Sequence, residues 1–330
     1  MTRAALLLAA VLQVAAQPKL LVNAKLDTHS AAQGLDSAFQ AQVAAVPQPS
    51  WIAYSVPTNK TMTLGCEFVS NDGTWFSTGT IHLEPPDNAV ILFRIASGAV
   101  ERVRTLSPDC QFDAGGVPFH WLTEVQPAQS VALLAGLATK EWSPMSSAMG
   151  AIAVHADPSA DQTLDKFAGS DQMDSLRGRA ITYLGSARGK HGFDVLKGLI
   201  ANDPDKRIRT RAITALQSSK EPEALDLLIT LSKPDKDVTI RTQAVRELGH
   251  KRGPQAVAAL GDALNNDTDM QVKRAACTSL QGMPDGEGVP VLIQFAKNTK
   301  DVQLRRQAMT SLQNSHDPRA VAFFLDVLKN

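Results

Sequence analysis

Asp203-Pro204-Asp205-Lys206-Arg207-Ile208-Arg209-Thr210-Arg211-Ala212-Ile213-Thr214-Ala215-Leu216 is the stretch on which the reading of this chain turns. Ile208, Ala212, Ile213 and Leu216 fall on one side of a helix, because the steps between them keep to a period near 3.6 residues. The same arrangement returns every 32 residues. Leu176, Ile208, Ile240, Val272 and Leu304 form one column; Ala180, Ala212, Ala244, Ala276 and Ala308 form the next. Ile181, Ile213, Val245, Cys277 and Met309 follow, and then Leu184, Leu216, Leu248, Leu280 and Leu312. A second apolar set recurs at the same interval, with Phe193, Leu225, Val257, Val289 and Val321 followed by Leu196, Leu228, Leu260, Leu292 and Phe324. Each of the five units in residues 171–330 therefore carries two amphipathic helices. A fixed, all-helical period of this length predicts a mainly α chain built around an α-solenoid.

Upstream, Ala148, Met149, Ile152 and Leu164 fit the same columns one period earlier. Residues 127–170 thus read as a connecting helix, Gln129 to Lys140, and a degenerate first repeat that caps the stack. Residues 51–126 differ in texture. Short runs rich in β-branched and aromatic residues, such as Trp51–Val56, Ala89–Ala96 and Ala99–Leu106, are divided by Asn71-Asp72-Gly73, Ser97-Gly98 and Gly115-Gly116. Turn residues at such intervals predict a small antiparallel β domain. Residues 17–50 read as an N-terminal helical segment, with a helix from Ser30 to Val46 ending before Pro47 and Pro49. Residues 1–16 have the pattern of a secretory signal peptide: Arg3, an apolar run from Ala4 to Leu12, and small residues up to Ala16. The expectation is an exported protein, periplasmic or secreted, with no transmembrane segment after signal cleavage.

Thirty-three basic and thirty-three acidic side chains leave the 330-residue chain without net charge. That balance argues against nucleic acid or anionic lipid as a general partner. Of the three cysteines, Cys66 and Cys110 are expected to pair in an oxidising compartment, two separate buried thiols being the alternative. Cys277 stands in an apolar helix column and is expected to be a buried small side chain. Trp51, Trp75 and Trp121 belong either to the core of the β domain or to a recognition surface. Core is the expectation, since so small a domain needs large side chains to bury enough area.

Arg177, Arg209, Arg241, Lys273 and Arg305 recur inside the apolar sector of their helices, where a charge must be paired. Asp171, Asp203, Asp235 and Asp267 recur six residues earlier as partners, and Thr299 breaks that column. The aspartate pairs Asp203/Asp205, Asp235/Asp237 and Asp267/Asp269 suggest helix N-caps rather than calcium loops, which need more oxygen ligands and a glycine at the bend. No two of the seven histidines stand three or four residues apart, so no helical metal pair and no metal site is expected. Asp109, Cys110, Asp113 and His120 form the one grouping suited to nucleophilic catalysis, and a bridged Cys110 would disable it. No catalytic residue is assigned, and no enzyme is expected.

The repeat unit, an Asp-containing turn followed by Ile-Arg, an alanine and a leucine, resembles HEAT repeats over residues 144–330. More narrowly it resembles the HEAT-like repeats of phycobilisome lyases. The wider chain, through Ser107-Pro108-Asp109-Cys110, Gly115-Gly116 and His120-Trp121-Leu122, is similar to exported bacterial HEAT-repeat proteins of unassigned function. The resemblance implies a right-handed superhelix of helix pairs, with the recurring Arg and Asp residues forming a ladder between repeats. Deoxyhypusine hydroxylase, related by repeat type, holds iron through His-Glu dipeptides; none occurs here, and no cofactor is expected.

In a HEAT-like stack the Arg-bearing helix of each pair lines the concave side. Opposite its apolar sector lie the columns of residues 175, 178, 179 and 182, which contain no acidic residue in any of the five units. They carry Arg179, Arg207, Arg211, Arg246, Arg274 and Arg306 with Thr182 and Thr214. The expected function is a non-enzymatic scaffold that binds a protein or peptide on this face. The alternatives are an extracytoplasmic hydrolase or cofactor-binding enzyme with its site between the β domain and the first repeats, and a sensory or regulatory module for a membrane partner.

Overall fold

A computed structural model describes residues 20–45, 47–62, 64–69, 75–77, 84–140, 144–233 and 237–329. The expected signal segment lies outside the described residues. The chain divides into two compact units, one extending through Thr163 and the other from Leu164 to Asn330. Among the described residues no helix is long and apolar enough to cross a membrane.

The first unit begins with β1 (Leu20–Val22), β2 (Lys25–Ser30), α1 (Leu35–Ala44) and β3 (Ser50–Pro57). Then follow β4 (Glu67–Val69), β5 (Trp75–Ser77), β6 (Asn88–Ala96), β7 (Ala99–Leu106), β8 (Gln111–Asp113) and β9 (Pro118–Thr123). Three helices complete it, α2 (Pro127–Ala138), α3 (Pro144–Val154) and α4 (Ser159–Ala168), the last crossing the division. The main sheet has the order β2-β9-β3-β6-β7. β3/β6 and β6/β7 pair antiparallel, the latter through the expected Ser97-Gly98 turn, but β9 runs parallel to both β2 and β3. The sheet is thus mixed rather than mostly antiparallel. The reason is topological: α1 carries the chain from β2 to a β3 of the same direction, and β9 inserts between them. Two strands also come from residues expected to be helical. Lys-Leu-Asp-Thr-His-Ser lacks apolar alternation because β2 is a largely exposed edge strand, so its sequence carries little strand signal.

One face of the sheet buries Ala53, Val90, Leu92, Phe119 and Trp121 against Phe112 and Cys110. There Cys66 and Cys110 are joined in a disulfide, their Cα atoms 5.3 Å apart. The other face packs under α1, where Phe39 sets its ring edge-on to Phe93 at 4.9 Å. Trp121 is fully buried; Trp51 is half-buried with the Arg94 guanidinium 5.3 Å from its ring centre, and the Trp75 side chain lies outside the described residues.

The second unit continues with five helix pairs: α5 (Asp174–Ala187) and α6 (Gly189–Asn202), α7 (Lys206–Leu216) and α8 (Glu223–Ser232), α9 (Val238–Leu248) and α10 (Pro254–Asn266), α11 (Met270–Gly282) and α12 (Val289–Asn298), and α13 (Val302–Asn314) and α14 (Pro318–Lys329). Every residue of the alanine column and of the following leucine column is fully buried. Gly192, Ala224, Ala256, Gly288 and Ala320 form a further buried column that the apolar pattern does not reveal. Its reason is close approach: a Cβ at Gly192 would stand 1.8 Å from the Leu184 carbonyl oxygen of the preceding helix. The Arg-bearing helices α5, α7, α9, α11 and α13 pack on one another in succession, while the intervening helices touch one another less. A stack whose layers differ in this way bends toward the tighter layer.

The turns explain the aspartate pairs. Asp205, Asp237, Asp269 and Asp301 are N-caps, each accepting from a backbone N–H two residues on. The first aspartate of a pair braces the second, as Asp203 and Asp267 accept from the N–H of Asp205 (2.9 Å) and Asp269 (2.7 Å). They also receive the buried arginines, forming the expected ladder between repeats, although from the preceding repeat and not from six residues on. Arg177 bonds Asp203 and Arg241 bonds Asp267 through two nitrogens at 2.8 and 3.1 Å, each reaching forward into the next turn. Backward across six residues an arginine meets the turn carbonyls instead: Arg209 donates to Asp203 O (2.7 Å) and Arg305 to Thr299 O, while Lys273 reaches eight residues back to Asn265 O at the end of α10 (3.0 Å). Asp235 lies outside the described residues.

Candidate partner-binding face

The columns opposite the apolar sector come mostly to the surface along α5, α7, α9, α11 and α13, although Thr242 and Ala275 within them are buried. Arg207, Arg211, Arg246, Arg274, Arg306, Thr182 and Thr214 are exposed, and Arg179 is half-buried. The structure divides these arginines into two groups. Arg207 pairs with its own cap Asp205 at 2.8 Å and with Asp174 of α5 at 3.2 Å. Arg211 donates to the Asp174 carbonyl (2.9 Å), its guanidinium filling the space that the missing side chain of Gly178 leaves. Both tie α7 to α5, and Arg179 also has a partner within the chain. Arg246, Arg274 and Arg306, by contrast, stand exposed without a side-chain hydrogen bond or ion pair among the described residues.

Arg246 and Arg274 border one depression of about 640 Å³ across α9, α11 and α13, completed by Met270, Gln271, Thr278 and Gln307. Five of these six residues, all but Met270, come from the predicted columns: Arg246 on α9, Gln271, Arg274 and Thr278 on α11, and Gln307 on α13. Gln271, Gln307, Thr278 and Ser279 supply amide and hydroxyl groups, Arg246 and Arg274 positive charge, and Met270 and Ala275 apolar surface. Such a surface can accept hydrogen bonds and carboxylates from an extended chain.

Helical-wheel reasoning passes over one acid beside this face. Glu247 of α9 is buried and accepts from Gln243 at 2.5 Å, while Gln243 also reaches Thr214 Oγ1 at 3.0 Å on α7. Burial raises the Glu247 pKa, against opposing hydrogen bonds from Gln243 and Thr214 and the nearby charges of His250 and Arg246. The polar residues in its column, Tyr183, Ser279 and Ser311, are the signal that could have flagged it.

The grouping of Asp109, Cys110, Asp113 and His120 does not assemble. Cys110 is bridged to Cys66, Asp109 sits in a turn by Ser107, and Asp113 accepts from Asn23 (3.1 Å) and the Gly115 N–H (2.8 Å). His120 takes the side of β9 opposite Phe119 and Trp121, away from the disulfide. A Ser–His contact elsewhere in the first unit is wholly buried. His155 Nδ1 donates to Ala151 O at 2.7 Å, its Nε2 lies 2.9 Å from Ser130 Oγ, and Ser130 Oγ is hydrogen-bonded to the Tyr54 hydroxyl at 2.8 Å. These three side chains fasten β3 to α2 and to the end of α3. Cys277 is likewise buried, its thiol pushed up to about 12 by desolvation.

The model of HEAT repeats matches the chain at residues 162–249, 194–281 and 257–330, together just over half of its length. The chain belongs to the HEAT-repeat family. Among solved structures, this HEAT-repeat protein is similar to the CpcE–CpcF complex of phycocyanin lyase from Nostoc sp. PCC7120, with 23% identity, a TM-score of 0.36, and coverage of 47% of this chain and 99% of that one. Human deoxyhypusine hydroxylase matches at 15% identity and a TM-score of 0.28, covering 61% and 90%. Kap121p bound to Pho4p matches at 16% identity and a TM-score of 0.37, covering 56% of this chain but 25% of that one. No curated protein matches the chain.

Proposed function

We propose that this chain is an exported, non-enzymatic scaffold that holds an extended acidic or hydroxyl-rich polypeptide along the Arg-bearing face of its repeats. The observation that carries the reading is the set of exposed arginines, Arg246, Arg274 and Arg306, which have no side-chain hydrogen bond or ion pair among the described residues and stand on α9, α11 and α13 of three successive repeats. An exposed arginine held by no internal partner is free to form a two-pronged bond to a carboxylate. Successive helices repeat the offer, and a rigid stack presents it without reorganisation. Export is supported by the signal-like residues 1–16 and by the Cys66–Cys110 bridge, a bond that persists in oxidising compartments.

The test is affinity purification of the whole chain from its native source beside the variant Arg246→Glu/Arg274→Glu/Arg306→Glu. A partner that co-purifies with the parent and is lost from the variant, at unchanged circular dichroism, supports the face. Equal recovery of the same partner from both proteins refutes it.

A further inference from the structure

The first unit contains a side-chain cluster unrelated to the repeats. Asp27 and His29 alternate on the same face of edge strand β2, and His120 stands opposite Asp27 on β9, its direct partner in the parallel register. The three side chains therefore converge from two strands. One ligand atom of each lies within 4.8 Å of the others. His29 Nε2 is 3.1 Å from Asp27 Oδ2 and 3.3 Å from His120 Nδ1.

We propose that Asp27, His29 and His120 bind one divalent transition-metal ion of the zinc class, leaving a fourth position open to water. Geometry is the first support. A tetrahedral ion with bonds of about 2.0–2.1 Å sets its ligand atoms about 3.3 Å apart, the spacing found on both sides of His29 Nε2. Hydrogen-bonding logic is the second. A single Nε2 faces both a carboxylate oxygen and a ring nitrogen, and in the neutral imidazole it has at most one proton to offer between them; a shared cation would satisfy all three lone pairs at once. Two imidazoles and one carboxylate suit zinc, iron, nickel or copper rather than calcium or magnesium, which take oxygen ligands. Burial grades from exposed Asp27 through half-buried His29 to buried His120, which leaves the solvent side for the open position.

The experiment uses the whole untagged chain, stripped with a chelator and dialysed. Titration with cobalt(II), followed by its visible absorption and by calorimetry, should give one ion per chain, displaced by zinc and not by magnesium. Asp27→Asn and His29→Gln lie on an exposed edge strand and should leave circular dichroism unchanged while lowering affinity at least tenfold; His120→Gln should abolish binding. Absence of a cobalt spectrum in the parent, or retention of parental affinity in His29→Gln, overturns the proposal. Should His120→Gln misfold, the two edge-strand variants decide the matter alone.

Discussion

Replacing Asp267 by alanine isolates a buried, two-pronged ion pair of the repeats. Asp267 and Arg241 have side chains 2% and 5% exposed, and the carboxylate accepts two guanidinium bonds as well as the Asp269 N–H. Truncation leaves Arg241 charged in a dry site between α9 and α11, and breaking one side of such a pair costs about 3–5 kcal/mol. Asp269→Ala, one turn position away, removes only an N-cap and should cost about 1 kcal/mol. Replacing both partners, as Arg241→Met with Asp267→Leu, should recover most of the loss, because no orphan charge remains. Urea melts of the whole chain followed by circular dichroism read the difference, and hydrogen exchange should localise it to α9–α11. Burial on its own would raise the Asp267 pKa, but hydrogen bonds from Arg241 and the Asp269 N–H, with the charges of Arg241 and Lys273, bring it below the usual value. The stabilisation is therefore full above the unfolded aspartate pKa and is lost as pH falls through the depressed folded value. The gap between Asp267→Ala and the parent should close in acid. A loss at neutral pH no larger than that of Asp269→Ala would refute the reasoning.

Ala244→Leu should destabilise by about 1–3 kcal/mol, since Ala244 is fully buried between helices and a larger side chain overpacks; an unchanged urea midpoint would contradict this. Glu247→Gln should raise the melting temperature at neutral pH and lose that advantage in acid. With a folded pKa above the unfolded one, Glu247 stabilises most below its unfolded pKa and loses that contribution as pH rises through the folded value. Equal gains at both pH values would exclude this account of the buried acid. Reducing Cys66–Cys110, which closes a separation of 44 residues, should cost the first unit about 2–4 kcal/mol while α5–α14 stay helical by circular dichroism.

The repeats were legible because periodicity is a local signal. Every residue of the alanine and leucine columns lands in the core, and the aspartates before the helices become caps. What the sequence leaves open is what depends on three-dimensional reach. Whether Arg177 meets a carboxylate behind it or ahead of it depends on how one turn stacks on the next, and the structure sends it forward to Asp203. The Arg face was legible as a set of columns, but only packing separates Arg211, tied to the Asp174 carbonyl over Gly178, from Arg246 and Arg274. The first unit was harder. β2 is polar and exposed and carries no alternating pattern, so neither its pairing with β9 nor the meeting of His29 with His120, 91 residues away, leaves a local trace. Histidine spacing along a helix is visible in sequence; histidine spacing across two parallel strands is not.

The account rests on the repeats offering a positively charged, hydrogen-bonding face to an extended acidic chain. It is tested most directly by titrating the whole protein with a labelled peptide of alternating glutamate and serine, beside a lysine–serine control, at low and moderate salt. The parent should bind the acidic peptide alone, more weakly as salt rises, and Arg246→Glu/Arg274→Glu/Arg306→Glu should not bind it. Equal affinity of parent and variant for the acidic peptide, or binding of both peptides alike, would contradict the account.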